Sequence, residues 1–125
     1  MARVLVIDDK ATVRAVSRAI LESAGHEVLD GADGTAGLAL FWDRGADVVL
    51  CDLLMPGQEG LETLRRLRAR SGVPVVVMSG QADHLDGSAL FPVARLFGAT
   101  TTLRKPFGPV ELLAAVRAAL DCRVG

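Results

Sequence analysis

Three uninterrupted aliphatic runs constrain this chain more than any other feature: Val4-Leu5-Val6-Ile7, Val48-Val49-Leu50-Cys51 and Val73-Pro74-Val75-Val76-Val77-Met78. None alternates with polar residues. A strand with one wet face would alternate, so a continuous run implies burial on both faces, as in a parallel sheet covered by helices. Between the runs the apolar spacing becomes helical. Val13, Val16, Ile20 and Leu21 follow the first run, with Arg14 and Arg18 on the other side and Gly25 as a stop. Asp33 is placed to cap a helix over 34–43 with Leu38 and Phe41 inward. Leu61, Leu64 and Leu67 mark a helix over 60–70. Val110, Leu113, Val116, Ala119 and Leu120 mark another after Gly108-Pro109. Weaker strands are expected over 26–30 and 100–104. Residues 79–90 read as a long polar loop, and Pro92 suits the first turn of a short helix ending before Gly98.

The order is β then α, five times. It predicts an α/β, flavodoxin-like doubly wound fold: a five-stranded parallel sheet of order 2-1-3-4-5 with helices on both faces. The 125 residues suit a single domain over 1–125, with no room for an output module, and the 50% apolar content supplies a core without staples. Fourteen Lys and Arg against fifteen Asp and Glu give a net charge of −1, which disfavours a nucleic-acid binder. No apolar run approaches the length of a membrane span, and the start, ending in Asp8-Asp9, is not a secretory signal. Cys51 and Cys122 form no close-spaced pair, so a cytoplasmic location is expected.

In this topology ligands sit at the carboxyl ends of strands 1 and 3. Asp8 and Asp9 end the first strand and Asp52 ends the third, so three carboxylates converge. Clustered like charges need an offset, and hard oxygen donors without His or Cys favour Mg²⁺, or Mn²⁺, over zinc. Strand 4 adds the Ser79 hydroxyl to this rim, and strand 5 adds the Lys105 ammonium. Acids, a hydroxyl and an ammonium around a metal describe a site for a phosphoryl group.

These residues resemble the response-regulator receiver domain of two-component signalling. The matching motifs are Asp8-Asp9, Asp52, Met55-Pro56-Gly57 with Gly60-Leu61, Ser79-Gly80, Gly98-Ala99 and Lys105-Pro106-Phe107, spread over essentially the whole chain. The resemblance implies that Asp52 accepts a phosphoryl group from a sensor histidine kinase or a histidine phosphotransfer protein. It implies Mg²⁺ bound by Asp8, Asp9, Asp52 and the backbone carbonyl of Leu54, with Ser79 and Lys105 on the phosphoryl oxygens. Asp52 as an ionised carboxylate needs no general base. The expected role is a phosphorylation-controlled interaction switch, not an enzyme beyond its own phosphorylation and dephosphorylation. The short apolar runs lead to the expectation of no membrane partner, and a weak homodimer is an open expectation. Kinase contact is implied for Thr12, Arg14, Ala15, Arg18, Pro106 and Phe107. The alternative is a degenerate receiver that serves as a phosphorylation-independent platform. A small flavodoxin-like cofactor binder is a further rival, but it would need a Ser/Thr-rich loop where Asp8-Asp9-Lys10 stands.

Several positions depart from the family. Thr102 replaces the aromatic residue usual three places before the lysine, and the chain contains no Tyr. The stretch from Ser79 to Gly98 is longer than the family spacing, which predicts a short or displaced fourth helix behind a longer flexible loop. Lys10 stands where a further acid is common. Leu54 and Gln81 flank the acceptor at positions that set phosphoryl lifetime in the family, and apolar Leu54 predicts slower loss. Other signals read as structural. Gly31, Gly34 and Gly37 suit a turn and helix start rather than a nucleotide loop. Arg65, Arg66, Arg68 and Arg70 suit a solvated face, and Cys51 a buried strand. His26 and His84 suggest no metal site, with His84 expected to be exposed. Trp42 and Phe41 suit packing or surface positions. Asp52-Leu53-Leu54 lacks the second acid of haloacid-dehalogenase-type phosphatases.

Overall fold

The computed structural model describes residues 1–56, 59–82, 85–86 and 90–122. In chain order the elements are β1 (Arg3–Ile7), α1 (Ala11–Ser23), β2 (Glu27–Gly31), α2 (Gly34–Arg44), β3 (Val48–Asp52), α3 (Glu59–Arg70), β4 (Val75–Ser79), β5 (Gln81–Ala82), β6 (Leu85–Asp86), α4 (Phe91–Leu96), β7 (Thr101–Arg104) and α5 (Pro109–Asp121). The main sheet is parallel with order β2-β1-β3-β4-β7. Counting main-sheet strands alone, this is the expected 2-1-3-4-5 arrangement.

The continuous aliphatic runs become the central strands. Every residue of β3 and β4 is buried, as are Val4 to Ile7 of β1. Because side chains alternate across a strand, each run feeds two cores. Val4, Val6, Val48, Leu50, Val76 and Met78 pack with Leu21 of α1 and Leu112, Val116 and Ala119 of α5. Leu5, Ile7, Val49, Cys51, Val75 and Val77 pack on the other face with Leu38 of α2, Leu64 and Leu67 of α3 and Ala94 of α4. Fully burying one such side chain contributes roughly 1.5–3 kcal/mol, so the sheet centre is the most strongly determined part of the molecule. The outer strands β2 and β7 mix buried and part-exposed positions, which is why their sequence signal is weak.

Helix ends follow local chemistry. Asp33 accepts the Ala36 N–H at 2.7 Å, and Gly34 N–H donates to Glu59 Oε1 at 2.6 Å, so α2 is capped partly from α3. Glu59 and Glu62 open α3 while Arg68 and Arg70 close it, complementing the helix dipole. Two glycines allow close approach. A Cβ on Gly37 would collide with Ile7, and one on Gly60 would collide with the Asp52 carbonyl and Leu53. Gly37 therefore serves helix–sheet packing, in keeping with the reading of that glycine series as structural.

Three details differ from the sequence reading. Val16 is 53% exposed while Ser17 is buried, because α1 turns Ser17 and Leu21 toward the sheet. In α5, Val110 lies in the exposed first turn and Leu112 is fully buried in its place. The polar stretch after Ser79 contains a short antiparallel pair, β5 with β6, which its composition does not announce. The expected flexible loop there and the expected exposure of His84 fall partly or wholly outside the described residues. The short fourth helix is present: α4 has six residues, with Pro92 in its first turn.

Candidate functional site

Register decides what meets at the carboxyl rim. Ile7 at the end of β1 pairs with Cys51 of β3, and Asp52 pairs with Met78 of β4. Ser79 pairs with Arg104 of β7. Asp8, Asp52, Ser79 and Lys105 therefore sit at four adjacent strand ends. Asp8 is wholly buried and Asp52 nearly so. Lys105 Nζ lies 2.6 Å from Asp8 Oδ2 and 3.4 Å from Asp52 Oδ1, so the ammonium is held between the acids and closer to Asp8.

The remaining Asp8 oxygens are also engaged. Oδ1 accepts the Lys10 N–H at 2.9 Å and the backbone carbonyl accepts Arg14 Nη1 at 2.7 Å. Asp52 Oδ1 accepts the Leu54 N–H at 3.3 Å. Burial pushes the Asp52 carboxyl above its ordinary range; Lys105 draws it down and Asp8 raises it further. Behind it, burial pushes the Cys51 thiol far up, which fits an inert core residue. The Ser79 hydroxyl is buried and makes no hydrogen bond among the described residues. Lys105 N–H donates to the Ser79 carbonyl at 2.8 Å, tying β7 to β4 at the rim.

Asp8, Asp9 and Asp52 each offer a carboxylate oxygen, and these atoms lie within 4.8 Å of one another. Two of the acids are buried and Asp9 is exposed, which gives an entry side. An all-oxygen set of this kind fits a hard divalent cation such as Mg²⁺ or Mn²⁺. An open groove of about 510 Å³ adjoins the cluster, lined by Thr12, Val13, Val16, Leu54, Pro106 and Phe107 among others. The sequence reading brings Asp8, Asp9, Asp52, Ser79 and Lys105 to this rim, but it places Val16 inward rather than on the groove. It does not disclose that Arg14 curls back to the Asp8 carbonyl. Its signal was spacing alone: an arginine one turn into a helix that starts at the rim.

A model of the response regulator receiver domain matches residues 4–117. The chain belongs to the response-regulator receiver family. It is 37% identical over 118 residues to the DNA-binding response regulator MtrA of Mycolicibacterium paratuberculosis, covering 94% of this chain and 51% of that protein. It is 36% identical over 120 residues to the sensory transduction protein RegX3 of Mycobacterium bovis, covering 96% and 51%. The chain thus spans about half the length of the curated relatives it matches. Among solved structures it superimposes on the receiver domain of NtrX from Brucella abortus with a TM-score of 0.87, at 28% identity and covering 96% of this chain and 99% of that one. It superimposes on the chemotaxis response regulator CheY4 of Vibrio cholerae with a TM-score of 0.84, at 30% identity and covering 95% and 98%.

The receiver's other notable residues are accounted for by structure. Arg65 and Arg66 pair with Glu62, Arg70 lies over the Trp42 ring at 4.3 Å, and Arg68 donates to the Gly98 carbonyl. Arg65, Arg66 and Arg70 thus lie on an exposed face as expected. Arg68 is instead part-buried and donates to the Gly98, Ser71 and Val73 carbonyls, so it ties α3 to neighbouring backbone rather than to solvent. His26 accepts the Ala2 N–H, far from the acids in the sheet. Thr102 lies half-buried on β7. The Gln81 side chain and Gly57 lie outside the described residues. Among the described residues no helix is long and apolar enough to cross a membrane.

Proposed function

We propose that this receiver takes a phosphoryl group onto Asp52 in a divalent-cation-dependent step and thereby switches its contacts with a protein partner. The observation that carries this reading is the convergence of three carboxylates, two of them buried and paired with the Lys105 ammonium. That arrangement costs stability unless something cationic, or a reaction, uses it.

Asp52 is the acceptor in this reading. One of its oxygens forms a P–O bond as the donor's P–N bond breaks, with a phosphohistidine of a sensor kinase or phosphotransfer protein as donor. Asp8, Asp9, Asp52 and the Leu54 carbonyl would hold Mg²⁺, which when bound neutralises charge on the transferring group. Lys105 starts on Asp8 and can turn to a phosphoryl oxygen, while the Ser79 hydroxyl, which has no partner among the described residues, supplies a second donor. The apolar groove beside the acids, with Val16 exposed at its lip and Pro106 and Phe107 opposite, would seat the donor protein. Apolar Leu54 orients no attacking water, which supports slow loss of the phosphoryl group; the Leu54→Asn variant should lose it faster.

One observation favours a second reading as a phosphorylation-independent platform: Thr102 provides no aromatic ring to report the state of Ser79. Incubation with Mg²⁺ and acetyl phosphate, followed by mass spectrometry, separates the two. One added phosphoryl group, absent in Asp52→Asn and absent without the cation, supports the switch. No adduct at saturating donor supports the platform.

A further inference from the structure

We propose that Arg14 is a positioning residue for the carboxylate cluster: anchored by Asp30, it holds the Asp8 carbonyl and so sets how Asp8 and Asp9 face Asp52. This inference rests on the reading of the cluster as a divalent-cation and phosphoryl site.

The connection from β1 to α1 is only Asp8-Asp9-Lys10, and it carries two of the three clustered acids. The strand and the helix fix its ends but not its peptide planes. Lys10 occupies the N-cap of α1 and makes no side-chain cap, so the usual side-chain clasp on such a turn is missing. The Lys10 N–H instead donates to Asp8 Oδ1, and Asp8 N–H donates to the Gly31 carbonyl at 3.2 Å. The Asp8 carbonyl is then held by Arg14 Nη1 at 2.7 Å.

Arg14 is itself held from the other side. Its Nε lies 3.6 Å from Asp30 Oδ1, and Asp30 Oδ2 accepts Arg18 Nη2 at 2.8 Å. Asp30 pairs with Val6 in the sheet, so the anchor is part of β2. The Arg14 side chain is only 20% exposed. A planar guanidinium donates in fixed directions. With Nε toward Asp30 and Nη1 toward the Asp8 carbonyl, it joins the end of β2 to the loop that carries the acids. Residues that orient a metal's carboxylate ligands without touching the ion are the usual determinants of such sites. The inward geometry also separates Arg14 from the contact role its place on α1 suggests. A partner contact would matter only when a protein donor is present, whereas a positioning residue matters for the cation alone.

Calorimetric titration of Mg²⁺ into the full chain tests this, with circular dichroism melting of each variant as the check on folding. Arg14→Ala should weaken Mg²⁺ binding about ten- to hundredfold. Arg14→Lys, which keeps the charge but not the fork, should recover melting temperature without recovering affinity. Asp30→Asn should weaken binding in the same direction. Arg18→Ala loses contacts to Asp30 and Glu22 but leaves Arg14 on the Asp8 carbonyl, and should weaken binding less than Arg14→Ala does. A folded Arg14→Ala with parental affinity overturns the inference, as does an equal loss in Arg18→Ala. If Arg14→Ala does not fold, parental affinity in Asp30→Asn overturns it. If the parent itself binds no Mg²⁺ and takes no phosphoryl group, the reading of the cluster fails and this inference with it. If the parent does both and Arg14→Ala matches it, this inference alone fails.

Discussion

The two rims of one sheet carry charge in opposite ways. At the amino end of the strands, Arg3 pairs with Glu27 at 3.2 Å, Arg44 approaches the same carboxylate at 3.6 Å, and Asp47 accepts the Arg3 N–H at 2.7 Å. These groups are partly exposed and roughly balanced. At the carboxyl end, Asp8, Asp9 and Asp52 cluster, and the two buried acids, Asp8 and Asp52, share one ammonium. A rim that only needed to be stable would look like the first. The second holds surplus buried negative charge that the fold tolerates rather than needs, which is what the proposed phosphoryl site would use.

If that contrast is right, the same kind of substitution should have unequal effects at the two rims. The largest effect is expected for Lys105→Met, which leaves Asp8 and Asp52 buried without their cation. Chemical denaturation without divalent cation at neutral pH should show a loss of about 3 kcal/mol.

Asp52→Asn should act in the opposite sense. Burial raises the Asp52 carboxyl in the folded state, so the ionised form is the destabilising one. The wild type keeps its stability below the unfolded carboxyl pKa of about 4 and loses it as pH rises from there through the raised folded value. The variant escapes that loss. Its advantage in metal-free denaturation should be absent at acid pH and grow as pH rises toward neutral. An advantage that shrinks as pH rises would break the contrast.

Two buried hydroxyls sharpen it further. Ser79 and Ser17 both lack a hydrogen-bond partner among the described residues, but Ser79 ends β4 at the reactive rim and Ser17 lies within α1 against the core. Ser17→Ala should raise stability by about 1 kcal/mol without changing phosphoryl labelling. The smallest effect is expected at the balanced rim. Glu27→Gln removes exposed ion pairs and should cost about 0.5 kcal/mol or less, again with unchanged labelling.

What the sequence discloses follows the strength of the physical signal. Val4 to Ile7 and Val48 to Cys51 are buried on both faces, so their apolar runs announce central strands, and the strand order then brings Asp8, Asp52, Ser79 and Lys105 together. Rotations within helices are less legible. Apolar spacing places Val16 inward, yet the groove near Phe107 leaves it at a lip while small Ser17 fits against the sheet. In α5, adjacent Leu112 and Leu113 compete for the inward position, and Leu112 takes it. The β5–β6 pair has two-residue strands, too short to show alternation. Arg14 reads as an outer residue because periodicity places the Cα and not the end of a long side chain.

The central claim is that the surplus charge at the carboxyl rim exists to receive a phosphoryl group. The most direct measurement is intact mass after incubation with acetyl phosphate, with and without Mg²⁺, for the parent and Asp52→Asn. The account predicts one phosphoryl adduct in the parent, dependent on the cation and lost in the variant. An unmodified parent at saturating donor, or an adduct that persists in Asp52→Asn, would contradict it.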